Sequence, residues 1–242
     1  MAKSKRARIV HTSVVQKKPG KERSATLYSA IQAAADEYQH IFVFSVENMR
    51  NTYLKEVRQH FADSRMFFGK TKVMAKALGT AAEDEHAPGL SKLSGFLAGN
   101  VGLLCTNRDP AEILEYFAGY VEVDFARAGV LASRSFTVPA GVVHSTGGEQ
   151  PVEDDVPLAH SLEATVRKRG MPTRLDKGKV MLDQEYTVCT EGKTLNSDQT
   201  ALLKLFGIAT AEFKVQVVAY WSAAKQEVTE VDPTAAEGME EG

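Results

Sequence analysis

Three short runs constrain this chain more than any other feature: His40-Ile-Phe-Val-Phe-Ser-Val46, Arg65-Met-Phe-Phe68 and Val101-Gly-Leu-Leu-Cys-Thr106. The first and third alternate too little to leave one face in water, so they predict strands inside a sheet covered on both sides. Helical patterns stand between them. Leu27, Ile31, Ala34 and Tyr38 recur at helical spacing after Ser24, and Leu54, Val57 and Phe61 do so over a helix from about Arg50 to Ala62. Asp109-Pro-Ala-Glu112 opens a further helix with an N-cap acid, a proline at the first helical position and an acid at the third, and Gly119 closes it. Strand and helix in alternation predict an α/β layer with crossover connections and helices on both faces of the sheet.

The texture changes near Asp124. Arg127–Ala132, Phe136–Val143, Val180–Leu182 and Glu185–Cys189 read as short strands, and Ser161–Arg169 as a short helix. Together they predict a smaller α+β unit over 126–195. A plain helix from Asp198 to Phe206, ended by Gly207, and a β-favouring run from Phe213 to Trp221 then return to the first texture. Residues 80–94 read as a polar loop. The division predicted is a basic flexible arm at 1–23, an α/β domain from 24–125 plus 196–225, the inserted unit, and an acidic disordered tail at 226–242.

Charge divides the chain unevenly. Residues 1–80 hold 15 Lys and Arg against 6 Asp and Glu, whereas residues 81–242 hold 14 against 25. The near-neutral total of −2 therefore hides a cationic front half suited to a polyanion. The arm contributes Lys3, Lys5, Arg6 and Arg8. The densest structured contribution follows the second strand, where Gly69-Lys70-Thr71-Lys72 opens a helix that also carries Lys76. Thr71 is the expected helix cap. Backbone N–H groups and the positive end of the helix dipole then sit beside three ammonium groups, a phosphate-binding surface. Arg50, Asn51 and Arg58 on the preceding helix are expected to extend it.

Nucleotide binding is excluded as the purpose of this surface. A phosphate-wrapping Gly-Lys-Thr loop requires a glycine where this chain has Ser64, and the intervening phenylalanines suit a buried strand. No HExxH or CxxC spacing, no G-x-S-x-G elbow and no base near Cys105 in sequence point to a metal, a cofactor or catalysis. Asp154-Asp155 reads as solvated loop charge. The apolar runs are too short to span a bilayer, and neither a membrane nor a small-molecule substrate is expected.

The motifs Asn48-Met-Arg-Asn51, Ser64 through Gly79, Gly99 through Asn107 and Arg127 through Ala140 resemble the stalk-base protein family of the large ribosomal subunit. Lys3-Ser-Lys-Arg6, Ile41-Phe-Val-Phe44, Lys168-Arg-Gly-Met-Pro-Thr-Arg174 and Lys177-Gly-Lys-Val-Met-Leu182 resemble its ribosome-assembly branch in particular. The resemblance covers roughly 1–222. It implies an α/β rRNA-binding domain, made from the N-terminal part and a returning C-terminal segment, with a second domain inserted. It implies large-subunit rRNA at the stalk base, the GTPase-associated centre, as partner. It also implies residence on nuclear and nucleolar pre-60S particles beside neighbouring ribosomal proteins, with transient passage to the cytoplasm. The expected role is a placeholder later exchanged for the mature stalk-base protein; the alternative is a permanent stalk-base subunit. Gly-Lys-Thr departs from the Gly-Lys-Asn of many relatives without loss of a capping residue. About twenty residues follow Trp221, fewer than the stalk-dimer helices and acidic end of the stalk protein need, which favours the assembly factor.

Overall fold

The computed structural model describes residues 20–231. The arm residues Lys3, Lys5, Arg6 and Arg8, and the end of the acidic tail, lie outside the described residues. Within them the chain divides into two compact units, one containing 20–44, 63–108 and 218–231 and the other 45–62 and 109–217.

A six-stranded sheet runs in the order β11-β10-β1-β3-β2, with β4 also pairing β10. These strands are β1 (His40–Glu47), β2 (Arg65–Phe67), β3 (Val101–Thr106), β4 (Val121–Asp124), β10 (Ala211–Ser222) and β11 (Glu227–Glu230). The α/β class expected from the sequence holds, but the direction of the strands does not follow the crossover expectation. β2 pairs β3, β4 pairs β10 and β11 pairs β10, all antiparallel. The Gln39 N–H donates to the Asn107 side-chain oxygen at 2.8 Å, which puts the start of β1 beside the end of β3. A strand's own pattern reports how deeply it is buried, and the direction of its neighbour leaves no mark on it.

In the first unit, α1 (Gly20–Glu37), α3 (Thr71–Leu78) and α4 (Leu90–Ser94) cover the sheet. Ile31 and Ala34 from α1, Met74, Ala77 and Leu78 from α3, and Leu90 and Leu93 from α4 share one core with Ile41, Val43, Leu103 and Trp221. The segment 80–94, expected as loop, thus contains α4; five residues are too few to show a helical period. Its start is tied by Glu85, whose carboxylate accepts from the Gly89 N–H and, at 2.7 Å, from Ser91 Oγ. Gly89 has φ +87, and a Cβ there would stand 2.5 Å from the Gln226 carbonyl oxygen, so only glycine fits. Trp221 Nε1 donates to the neighbouring Pro88 carbonyl at 3.0 Å. The tail expectation also needs correction at its start. Glu227–Glu230 form β11, with Val228 opposite Trp221, because a polar edge strand reads like coil in sequence.

In the second unit, α2 (Asn51–His60) and α5 (Pro110–Gly119) meet through aromatic rings. His60 stacks on Tyr116 with centroids 4.2 Å apart, and Phe61 lies 5.6 Å from Phe117. Asp109 caps α5 as its motif predicts, accepting from the Ala111 N–H at 2.8 Å. The rest of this unit is built from β5 (Phe136–Val138) with β9 (Tyr186–Cys189), and from β6 (Gly141–Val142) and β7 (Thr173–Asp176) flanking β8 (Lys179–Leu182). They share a core with α6 (Glu163–Lys168) and α7 (Ser197–Leu205). The expected strand at Arg127–Ala132 is reduced to a single bridge between Leu131 and Thr194.

Asp155 is not solvated loop charge. It is buried and accepts from Ser145 Oγ at 2.5 Å, from the Thr146 N–H at 3.0 Å and from the Thr146 hydroxyl. Burial alone would raise its pKa, but these donors and the Val156 amide hold it down, at about 2. Two outcomes follow for stability. Gly89→Ala should lower stability by roughly 1–3 kcal/mol, read as a drop in urea midpoint. The contribution of Asp155 is complete above the ordinary carboxylate range and is lost as pH falls through about 2. Asp155→Asn should therefore cost roughly 1–3 kcal/mol near neutral pH, and the gap to wild type should narrow in melts run at progressively lower pH.

Candidate nucleic-acid interface

The interface is assembled from the turn after β2. Phe67 is buried opposite Leu103, and Phe68 meets Phe44 edge to face at 5.2 Å, which fixes the exit of the strand. At Gly69 an added Cβ would stand 2.3 Å from Leu27 Cδ2, so the bare glycine lets the turn pass close beneath α1. Lys70 then takes an extended conformation, and its carbonyl accepts from Val73 N–H at 2.9 Å and Met74 N–H at 3.1 Å. Lys70, not Thr71, is therefore the capping residue; Thr71 is the first residue inside α3. This corrects the capping expectation. A lysine side chain offers no acceptor, and no side chain caps the helix start. The first-turn N–H groups of Thr71 and Lys72 are left for an acceptor from outside the helix.

Lys70, Lys72 and Lys76 are all exposed, while Met74, Ala77 and Leu78 face the core. Among the described residues none of the three lysines forms an ion pair. Their placement works against the helix. Lys70 and Lys72 crowd the positive end of its dipole, and Lys72 and Lys76 are like charges at i,i+4, each arrangement costing a few tenths of a kcal/mol. Such a surface gains from a bound anion what it lacks by itself. Gly79, at φ +105 with the Glu85 backbone 2.6 Å from a hypothetical Cβ, ends the helix sharply.

Arg50, Asn51 and Arg58 belong to the second unit. Asn51, Lys55 and Arg58 recur at i, i+4 and i+7 and form an exposed basic stripe on α2, opposite the buried Leu54 and Val57. Arg50 is placed otherwise than expected. Its side chain is only 17% exposed, with Nε 2.5 Å from Asp124 Oδ2 and a terminal nitrogen donating to the Phe125 carbonyl. Its charge is engaged in holding the end of β4, not offered to solvent. Asn48, from the same motif, is structural as well. It adopts φ +47 and donates to the Glu212 carbonyl at 2.8 Å, a conformation asparagine tolerates better than most residues. Of the two residues of this motif expected to face phosphate, Arg50 is engaged within the fold and Asn51 is exposed.

Sequence reasoning did not find one feature of the second unit. A cleft of about 370 Å³ is lined by Arg50, Asp124, Phe125, Arg127, Thr200 and Lys204 among others. Arg127 and Lys204 are exposed at its rim, and Lys204 lies 5.8 Å over the Phe125 ring. The two are 77 positions apart in the chain, so only folding brings them together. Elsewhere, burial pushes the Cys105 thiol up to about 12, which keeps it protonated and unreactive at neutral pH. No helix among the described residues is long and apolar enough to cross a membrane.

Comparison with known proteins places these features in sequence context. Residues 19–121, which contain α3, match the family Ribosomal protein L10, and residues 126–208 match the insertion domain of the 60S ribosomal protein of that family. Ribosome assembly factor mrt4 of Neurospora crassa is 53% identical over 247 aligned residues, spanning 100% of this chain and 98% of that protein. The protein of the same name from Saccharomyces cerevisiae is 41% identical over 222 residues, spanning 91% and 94%. Large ribosomal subunit protein uL10 of Podospora anserina is 26% identical over 186 residues, spanning 76% of this chain and 54% of that protein.

The geometry sets an expectation for Arg50. Arg50→Ala should cost roughly 1–3 kcal/mol of stability, since it removes the cation beside the half-buried Asp124 and the donor to the Phe125 carbonyl, and the loss should appear in thermal melts without any RNA present. Lys72→Ala should leave the melting temperature unchanged or slightly raised, because it removes a charge from the wrong end of a helix dipole.

Proposed function

This chain belongs to the Mrt4 family of ribosome assembly factors, relatives of ribosomal protein L10, and on that premise we propose that it is a non-catalytic rRNA-binding placeholder. It occupies large-subunit rRNA at the stalk base, on pre-60S particles in the nucleolus and nucleus, and is exchanged for the mature stalk-base protein as the particle passes to the cytoplasm. The observation that carries the reading is the uncapped start of α3. Its first-turn N–H groups have no side-chain cap, Lys70 and Lys72 are exposed beside them, and Lys76 is exposed in the last turn, a combination suited to phosphate.

RNA contacts of this type go to phosphate and sugar and read a folded shape more than a linear sequence. Lysine suits that task because it meets phosphate as a compact point charge with three rotatable donors. The stripe of Asn51, Lys55 and Arg58 on α2 supplies further contacts of the same kind. Lys3, Lys5, Arg6 and Arg8 add charge from the arm, where ordering along the backbone would release counterions.

Two measurements test this reading. With about five phosphates neutralised, log K for stalk-base rRNA should fall with log salt at a slope of roughly −3.5 to −4.5. Lys70→Glu with Lys72→Glu should weaken binding about tenfold or more and flatten that slope by roughly 2; an unchanged slope would overturn the site. Separately, sucrose-gradient fractionation should find the chain on nuclear pre-60S particles and nearly absent from polysomes. Stoichiometric recovery from translating ribosomes would favour a permanent subunit instead.

A further inference from the structure

The acidic two-thirds of the chain contains one concentrated exception to its charge. Six of the fourteen Lys and Arg residues of 81–242 lie between Arg167 and Lys179, with Asp176 the only acid among them. This segment runs from the end of α6 through β7 and the turn into β8. Three of the six are engaged: Arg167 with Glu163 at 3.5 Å, Arg169 with Asp198 at 2.7 Å and Arg174 with Asp183 at 2.9 Å. Lys168, Lys177 and Lys179 are exposed and form no ion pair among the described residues. Lys168 ends a helix, where a cation is favourable in any case. Lys177 and Lys179 have no such explanation.

The turn that carries them is conformationally unfavourable for lysine. β7 and β8 pair antiparallel with Asp176 opposite Lys179, which leaves a two-residue loop of Lys177 and Gly178. Both have positive φ, +49 and +80. Hairpin turns of this kind favour Asn-Gly or Asp-Gly, and a lysine at the first position sits in a conformation that its Cβ disfavours. Lys179 lies opposite Asp176 in register yet makes no ion pair with it. Nothing packs against the tip: an added Cβ at Gly178 would meet no atom within 4 Å, and Leu175 is half exposed. The hairpin thus carries two free ammonium groups on a narrow ribbon, at local conformational cost and without benefit to the core.

We propose that this lysine-tipped β7–β8 hairpin is a phosphate-backbone contact for duplex RNA, a contact additional to the one made through α3. The chemistry favours RNA over an acidic protein. Protein interfaces are depleted in lysine and anchored by aromatic or Arg residues in pockets, and this tip offers neither an aromatic residue nor a pocket. Phosphates need only point charges, and the narrow tip of a two-stranded ribbon can reach the phosphates that flank the wide, shallow minor groove of an RNA duplex. The hairpin holds the chain on RNA by a term that depends on salt and is indifferent to base sequence. It takes from the proposed function only the class of partner.

The test uses the full chain and fluorescence anisotropy with two labelled probes, a stalk-base rRNA fragment and an RNA duplex of arbitrary sequence. Lys177→Asn should keep or raise the melting temperature, since asparagine takes the left-handed turn more readily, while weakening duplex binding roughly threefold to fivefold. Lys177→Asn with Lys179→Gln should flatten the salt slope for the duplex by about 2. Unchanged affinity and slope in both variants overturn the proposal. So does loss of binding to polyglutamate with RNA binding intact, which would assign the tip to an acidic protein. The charge-reversed α3 variant runs in parallel. If it keeps stalk-base affinity while the hairpin variants lose duplex binding, the function proposed above fails and this contact stands; the converse pattern separates the two the other way.

Discussion

The pairing of β10 is the constraint on which the rest of the structure depends. This one strand is twelve residues long, and it buries Ala211, Phe213, Val215, Val217, Ala219 and Trp221 at every second position. Its first four residues pair with β4 and its last four with β11. The strand brings the end of the chain back to a sheet whose other members, β11 apart, lie before residue 125. Its alternation fixes the register, because a slip of one residue would turn Phe213 and Trp221 out to water. Trp221 then reaches into the first core and bonds the Pro88 carbonyl, and Gly89 beside it accepts a backbone contact that no other residue could. The scaffold beneath α3 is thus closed by a segment far from it in sequence.

That scaffold is rigid where it must be. Strand β2 is short, but its pairing with β3, the Phe68–Phe44 contact and the close pass of Gly69 under Leu27 leave the entry to α3 little freedom. Met74, Ala77 and Leu78 lock the helix by its apolar face. What remains outward is Lys70 and Lys72 at the wrong end of a dipole, beside a helix start without a side-chain cap, and Lys76 a turn further on. Burial on one face supplies the stability, and the other face carries like charges that a bound anion would relieve, which is what the proposed function draws on. The β7–β8 tip follows the same logic on a smaller scale, with a lysine held in a left-handed turn.

The family resemblance was legible because long motifs such as Ser64–Gly79 carry it, and the comparisons assign the same family over nearly the whole chain. The long elements were legible as well. β1, β3 and β10 announced themselves by burial pattern, and α5 by the Asp109-Pro110 start, since these signals are local. Some short elements were legible too, as at 65–68, 136–143, 180–182 and 185–189, but four others were not. α4, β4, β7 and β11 have four or five residues each, too few to display a period, and their existence follows from partners elsewhere in the chain. Strand direction was misread for the same reason.

What the sequence determined by itself was therefore the class of fold, the apolar elements, the cationic front half and the lysines of α3, because each depends on residue type and near-neighbour spacing. The tertiary structure decided the fate of individual charges. Arg50 and Asp155 look in sequence like surface polar residues; folding places one against Asp124 and the other under four donors, and both become structural. Arg127 and Lys204 become neighbours around one cleft, and Lys177 becomes the tip of a ribbon. Whether a charge is solvated, paired or presented is set by what the fold brings beside it, and electrostatic energy depends on that distance and burial, not on position along the chain.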